Sequence, residues 1–325
     1  METPARILII RLTAIGDVVL TLPAVSVLRK NFPAAKITFL TTKENAALLQ
    51  GFRDVDETIT LDRAAFRSRN PWRIAKESFR LLRCLRAGKF SLAVDLQGNG
   101  ESAWLTRFTG APHRWGVVHK PGRRRAFTSS VDRQRQIHAA EMHLELLKYC
   151  GLKTDSVRNE FSLPPDALNA ARNFFALNKI VPEKLTLFLQ PFTSSPMKNW
   201  PLENFLALAK CWQARGWQII FGGGPEDVAA LEPARALGFV ISAGVPLLVT
   251  GGLMQLSTLT VGGDTGALHL AVAQGKRVVM LMNTNRPGRP HPFRRDEWTL
   301  TSAIERDITS LKLGTVIFAS EAATG

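Results

Sequence analysis

Short apolar runs of strand length alternate along this chain with longer stretches in which apolar residues return every three or four positions. The first run is Arg6-Ile7-Leu8-Ile9-Ile10-Arg11. Four consecutive aliphatic residues describe a strand buried on both faces, as in a parallel sheet, rather than one with a wet side. A helix over about 18–31 and a strand over 36–40 complete a βαβ opening, and strands at 92–96 and 114–118 extend the sheet. Leu163-Pro164-Pro165 then breaks the alternation, because adjacent prolines remove two backbone donors and disfavour helix before them. A helix at 166–178 leads into a second series: strand 185–190, helix 202–215, strand 217–222, helix 226–236, strand 258–261, helix 266–274 and strand 277–282. The pattern predicts an α/β protein of two doubly wound, Rossmann-like domains, 1–163 and 164–307. A last segment, 308–325, holds a helix at 308–319 that is available to pack back on the first domain. Ligands of open α/β sheets bind outside the carboxyl ends of the strands, so the expected site is a cleft across which two such domains face. The uncharged stretch 236–263 is long enough to raise a membrane span, but Gly244, Pro246, Gly251 and Gly252 punctuate it and predict turns.

Composition changes this picture in three places. At 325 residues, with 45% hydrophobic and 21% charged, the chain suits two packed cores and excludes a disordered or fibrous protein. Arg11 interrupts the first apolar run long before a secretory leader forms, and Cys84, Cys150 and Cys211 lack the paired spacing of a metal site or disulfide framework. Both features point to the cytoplasm. The net charge of +15 is unevenly placed: residues 1–150 hold 25 Lys+Arg against 13 Asp+Glu, whereas 151–325 hold 17 against 14. The excess gathers in 63–89 and 114–135, including Arg123-Arg124-Arg125, so the first half is suited to meet an anion: nucleic acid, phospholipid headgroups or a phosphorylated acceptor. Along a helix at 73–89 the same charges also read as an ordinary solvated face.

Four loops carry candidate chemistry. The turn Arg11-Leu12-Thr13-Ala14-Ile15-Gly16-Asp17 lacks the G-x-G-x-x-G of a dinucleotide site, and the second strand ends in Thr41-Thr42-Lys43 without an acid for a ribose. It does offer one carboxylate, Asp17, either as a general base for an acceptor hydroxyl or as a helix cap. In Gly262-Gly263-Asp264-Thr265-Gly266-Ala267-Leu268-His269, the N–H groups of a helix start favour a diphosphate; the plainer reading is a tight turn capped by Asp264, with His269 a packed histidine. Lys198, in the loop 194–201, is either a cation that offsets charge on a departing diphosphate or a solvated lysine. Glu226, after Gly222-Gly223-Gly224-Pro225, can accept from ribose hydroxyls or complement a helix dipole.

Taken together these segments resemble a known family. Residues 11–23, with Gly16-Asp17 followed by Thr21-Leu22-Pro23, resemble the opening of the glycosyltransferase family 9 heptosyltransferases. Asp264-Thr265-Gly266 with His269 is similar to their D-T-G-x-x-H segment. Lys198-x-Trp200-Pro201, Gly223-Gly224-Pro225-Glu226, and Asp95-Leu96-Gln97-Gly98 with Ser102-Ala103 resemble the others, over a span from residue 6 to about 300. The resemblance implies a GT-B fold and an inverting, metal-independent transfer from a nucleotide sugar, usually ADP-heptose, in lipopolysaccharide core assembly. The nucleotide sugar is then the substrate, and no cofactor or metal is called for. By the same resemblance Asp17 is the base; Lys198, Asp264, Thr265 and Gly266, with His269, handle the sugar diphosphate; Glu226 holds the ribose. The acceptor, an anionic sugar-lipid at the inner face of the cytoplasmic membrane, falls to the basic first domain, with Gln97, Arg123, Arg124 and Arg125 as its contacts. The chain departs from the family pattern at Glu101, where a Lys is common, at Asn283-Thr284-Asn285 in place of Gly-Pro-Thr, and at Val19-Leu20 in place of a His. A GT-B relative with another donor sugar and a sugar-nucleotide epimerase are the near alternatives. A nucleic-acid-binding protein is the distant one, since no nucleic-acid module is recognisable.

Overall fold

The aliphatic runs become the centres of two parallel sheets. In a computed structural model, which describes residues 3–324, the first sheet contains β1 (Arg6–Ile10), β2 (Lys36–Thr42), β3 (Glu57–Leu61), β4 (Leu92–Asp95), β5 (His113–Val118) and β6 (Ser129–Asp132). Its order is β3-β2-β1-β4-β5-β6. The second contains β7 (Thr186–Gln190), β8 (Gln218–Phe221), β9 (Val240–Ile241), β10 (Leu259–Gly263), β11 (Val278–Met282) and β12 (Thr299–Thr301), in the order β12-β11-β10-β7-β8-β9. Counted from its own first strand, each sheet follows the same doubly wound order, 3-2-1-4-5-6. Ile7, Leu8, Ile9 and Ile10 are wholly buried at the centre of the first, as their uninterrupted apolar run requires. The chain divides into two compact units between Ser162 and Leu163.

Four helical expectations change, the simplest being the terminal helix, which spans Leu313–Ala322 rather than 308–319. The helix expected at 18–31 is two, Ile15–Val19 and Leu22–Asn31. Thr21 Oγ1 donates to Val18 O at 2.7 Å between them, and Pro23 occupies the first turn of the second, where its missing N–H is not needed. The stretch 226–236 begins as 3₁₀ turns, Pro225–Asp227 and Ala229–Leu231, and becomes a helix only at Glu232–Ala236. The turns expected within 236–263 contain a helix, Leu247–Leu256. Its Gly251 and Gly252 do not break it; they let it lie against helix Pro165–Leu177, where a Cβ on Gly252 would stand 2.7 Å from that of Ala171. Close packing here outweighs the roughly 1 kcal/mol that a helical glycine costs. Among the described residues no helix is long and apolar enough to cross a membrane.

The terminal segment contributes Ile308, Leu311 and Val316 to the second unit's core, beside Trp200, Phe205, Leu208 and Trp212. Trp200 Nε1 donates to Leu311 O at 2.9 Å, and helix Leu313–Ala322 packs on helix Leu202–Ala214.

Candidate functional site

In each sheet the winding reverses between two central strands, and loops leaving that point diverge to form a crevice. In the first unit the reversal lies between β1 and β4, and the loops are 11–14 and 96–99. In the second it lies between β7 and β10, and the loops are 191–199 and 264–266. Gln97, Lys198, Asp264 and Thr265 fall on these four loops, and Asp17 lies in the short helix that follows the first of them.

Asp17 stands three residues into helix Ile15–Val19, not at its N-cap, which is Ala14. The carboxylate nonetheless accepts the Ala14 N–H at 3.2 Å, and Arg11 Nη2 pairs with it at 2.6 Å. Oδ2 steadies the helix start, while 40% of the side chain stays exposed. Arg11 is itself tied back by donating from Nη1 to Leu96 O at 2.7 Å. Gln97 supports the turn from below. Buried Asp95 accepts the Gln97 and Gly98 N–H groups at 2.8 and 2.9 Å, and Gln97 Oε1 then accepts the N–H groups of Leu12 and Thr13 at 2.7 and 3.3 Å. Burial pushes the Asp95 carboxyl up to about 6.

Asp17 lines a pocket of about 370 Å³ together with Arg11, Gln97, His119, Arg133 and His143. Burial holds the His143 imidazole down at about 3, so it is neutral, and Nε2 lies 3.0 Å from Leu96 O. Burial and the Arg133, Arg123 and Arg11 guanidinia lower His119. Arg133 and His119 are pocket residues that the sequence reading did not single out; Arg133 lies in the basic stretch 114–135, and nothing local set it apart from its neighbours. The three consecutive arginines do not act as one patch. Arg123 donates to Gly98 O at 3.1 Å and, with Arg125, lines a second pocket of about 460 Å³ beside Trp104 and Arg107. Arg124 instead pairs with Asp132 at 2.7 Å. Glu101, where the family commonly has a Lys, forms a two-pronged pair with Arg63 at 2.9 and 2.6 Å.

In the second unit Asp264 is not the helix cap. Thr265 takes that place, its Oγ1 accepting the Leu268 N–H at 3.3 Å at the start of helix Gly266–Ala273. Asp264 is freed to accept from Lys198 Nζ at 2.7 Å and to meet His269 Nε2 at 3.2 Å. The close approach depends on Gly263, where a Cβ would stand 2.5 Å from Thr193 and 3.1 Å from Lys198 O. The Gly266 and Ala267 N–H groups that open the helix have no intrahelical acceptor. His269 is buried, and among the described residues its Nδ1 has no hydrogen-bond partner, so the ring's one polar contact is Nε2 to Asp264. At the end of β8, Asp227 rather than Glu226 accepts the Gly224 N–H, at 2.8 Å, leaving Glu226 exposed.

Burial alone would raise the Asp264 carboxyl, but His269 and Lys198 outweigh it and hold it below its ordinary value. The lower value belongs to the folded state, so the ionised group stabilises the fold above the unfolded value of 3.8, and that contribution is lost as pH falls below it. Urea midpoints measured across that acid range should fall less steeply for Asp264→Asn than for the parent.

Two Rossmann-like units, one offering a supported carboxylate at its reversal point and the other a lysine beside a helix N-terminus, define an enzyme of the GT-B fold. The chain belongs to glycosyltransferase family 9 (heptosyltransferase), whose model matches residues 78–312. It is 26% identical over 289 residues to lipopolysaccharide heptosyltransferase 3 of Escherichia coli, covering 82% of this chain and 80% of that one. The family 9 glycosyl transferase of Veillonella parvula superposes with a TM-score of 0.88 at 22% identity, covering 100% of this chain and 98% of that one. The Escherichia coli heptosyltransferase WaaC, solved with ADP, superposes with a TM-score of 0.81 at 21% identity, covering 98% and 99%. At such identities the structural likeness is one of fold.

Proposed function

We propose that the protein transfers a heptose, or a closely related sugar, from ADP-heptose to an anionic lipopolysaccharide-core-type acceptor, with inversion and without a metal. The observation that carries this reading is Lys198 held against Asp264 beside the N–H groups that open helix Gly266–Ala273. A cation next to free backbone donors suits a diphosphate whose charge grows as it leaves. The bare Asp264 carboxylate would repel such a group, so its part is to hold Lys198 and His269 in place. Glu226, exposed at the next strand end, accepts from the ribose hydroxyls. Asp17 removes the acceptor proton as the hydroxyl attacks the anomeric carbon, and ADP departs in the same displacement. Arg11, Arg133 and the pocket at Arg123 and Arg125 receive the acceptor's anionic groups. The names of the relatives, lipopolysaccharide heptosyltransferase 3 and a heptosyltransferase solved with ADP, support the choice of donor and acceptor class.

The test is mass spectrometry of products formed with a panel of nucleotide sugars and a lipopolysaccharide-core acceptor. A mass increase of one heptose with the ADP-linked donor is expected; transfer of another sugar, or isomerisation of the donor without transfer, would replace this reading. In calorimetry Glu226→Ala should weaken ADP binding by about ten-fold or more, the worth of a hydrogen bond to a charged group. Unchanged affinity would move the ribose elsewhere.

A further inference from the structure

One helix of the first unit presents an outer side that the proposed sugar transfer does not use. Helix Pro71–Ala87 buries Glu77, Leu81 and Leu85 against the sheet. On its opposite side Trp72, Lys76, Phe79, Arg83 and Arg86 recur four, seven, eleven and fourteen residues after the first, which at 3.6 residues per turn is a single stripe. All five are exposed, Trp72 by 84% and Phe79 by 69%. The helix's one carboxylate, Glu77, is turned inward and paired with Arg80. Among the described residues Lys76, Arg83 and Arg86 form no ion pair.

Helix Gly100–Phe108 lies alongside. Its Leu105 shares a core cluster with Leu81, Leu85, Leu8, Ile10, Leu40 and Ala93, so both helices cover the same side of the sheet and their outer sides look the same way. That second outer side shows Trp104, 64% exposed, with its ring stacked on Phe108 at 5.7 Å, and exposed Arg107 between them in sequence. Exposed aromatics therefore adjoin unpaired cations, with no acid on the stripe itself.

We propose that this face docks on the surface of an anionic phospholipid bilayer. Indole and phenyl rings settle at the boundary between headgroups and acyl chains, and the arginines and lysine are drawn to anionic headgroups. A convex helix with rings spaced along it offers no groove to follow a nucleic acid strand while stacking its bases. A second copy meeting this face about a two-fold axis would set like charges against each other. The inference rests on the sugar-lipid acceptor of the proposed function for its purpose, but not for its test.

The full chain is co-sedimented with vesicles of phosphatidylcholine alone and with phosphatidylglycerol added. The parent should partition onto the second and not the first. Trp72→Ala/Phe79→Ala should weaken that partition about ten-fold, since part of each ring's apolar area loses its burial. Lys76→Gln/Arg83→Gln should weaken it about 30-fold, at about 1 kcal/mol per charge near an anionic surface. These side chains are exposed, so both variants should keep the parental melting temperature and ADP affinity. Equal binding to the two vesicle types, parental binding by either variant, or self-association that Trp72→Ala abolishes would each overturn the proposal. So would binding to single-stranded DNA with indifference to vesicles. A protein that binds vesicles but not ADP would defeat the proposed function and leave the docking face standing.

Discussion

Asp17→Asn should retain parental ADP affinity in calorimetry and lose roughly 10²–10⁴-fold in transfer rate, the range that a positioned general base supplies. The substitution is informative because it is nearly isosteric. An asparagine oxygen can still accept the Ala14 N–H that the carboxylate accepts at 3.2 Å, so the helix start should survive. Arg11 loses its partner at 2.6 Å but remains tethered to Leu96 O, so the pocket wall should also hold. What disappears is the capacity to take a proton. A variant that transfers sugar within a few-fold of the parental rate would remove Asp17 from the role of base, whatever its effect on stability.

Lys198→Ala should lower transfer by roughly 10²–10³-fold, as loss of one group stabilising developing charge does elsewhere, and should weaken ADP binding as well. Two effects compound. The diphosphate loses a cation, and Asp264, largely buried and deprived of its 2.7 Å partner, confronts it with an uncompensated charge. The double variant Lys198→Ala/Asp264→Asn should therefore bind ADP more tightly than Lys198→Ala alone, a non-additivity expected of residues in contact. Strictly additive losses in affinity would show that Asp264 does not act through the lysine, and unchanged ADP binding in Lys198→Ala would place the diphosphate elsewhere.

Much of this architecture was legible in the residues, and the omissions share a cause. The eight strands that the aliphatic runs predict are the eight interior ones; the four missed, β3, β6, β9 and β12, are the four sheet edges. An edge strand has a neighbour on one side only and needs less apolar cover, so Glu57-Thr58-Ile59-Thr60-Leu61 and Thr299-Leu300-Thr301 carry no uninterrupted hydrophobic run. Helix Leu247–Leu256 was hidden for another reason: its glycines answer to Ala171, some 80 positions earlier, and local propensity does not contain that contact. Within the site, chain order placed Lys198, Asp264 and Thr265 correctly on loops at strand ends. The division of labour between neighbours, Thr265 capping while Asp264 holds the lysine, depends on side-chain direction, which spacing does not specify. Arg133 joins Asp17 only because β6 lies two strands from β4 in the sheet, a distance in space that sequence separation conceals.

The tryptophan two positions after Lys198 hands its indole hydrogen to Leu311, more than a hundred residues onward. The end of the chain is thus a keystone for the loop that carries Lys198 rather than a dispensable tail. Shortening the polypeptide at residue 307 would strip the wall behind that loop and open the second unit's core without removing Lys198, Asp264 or Thr265.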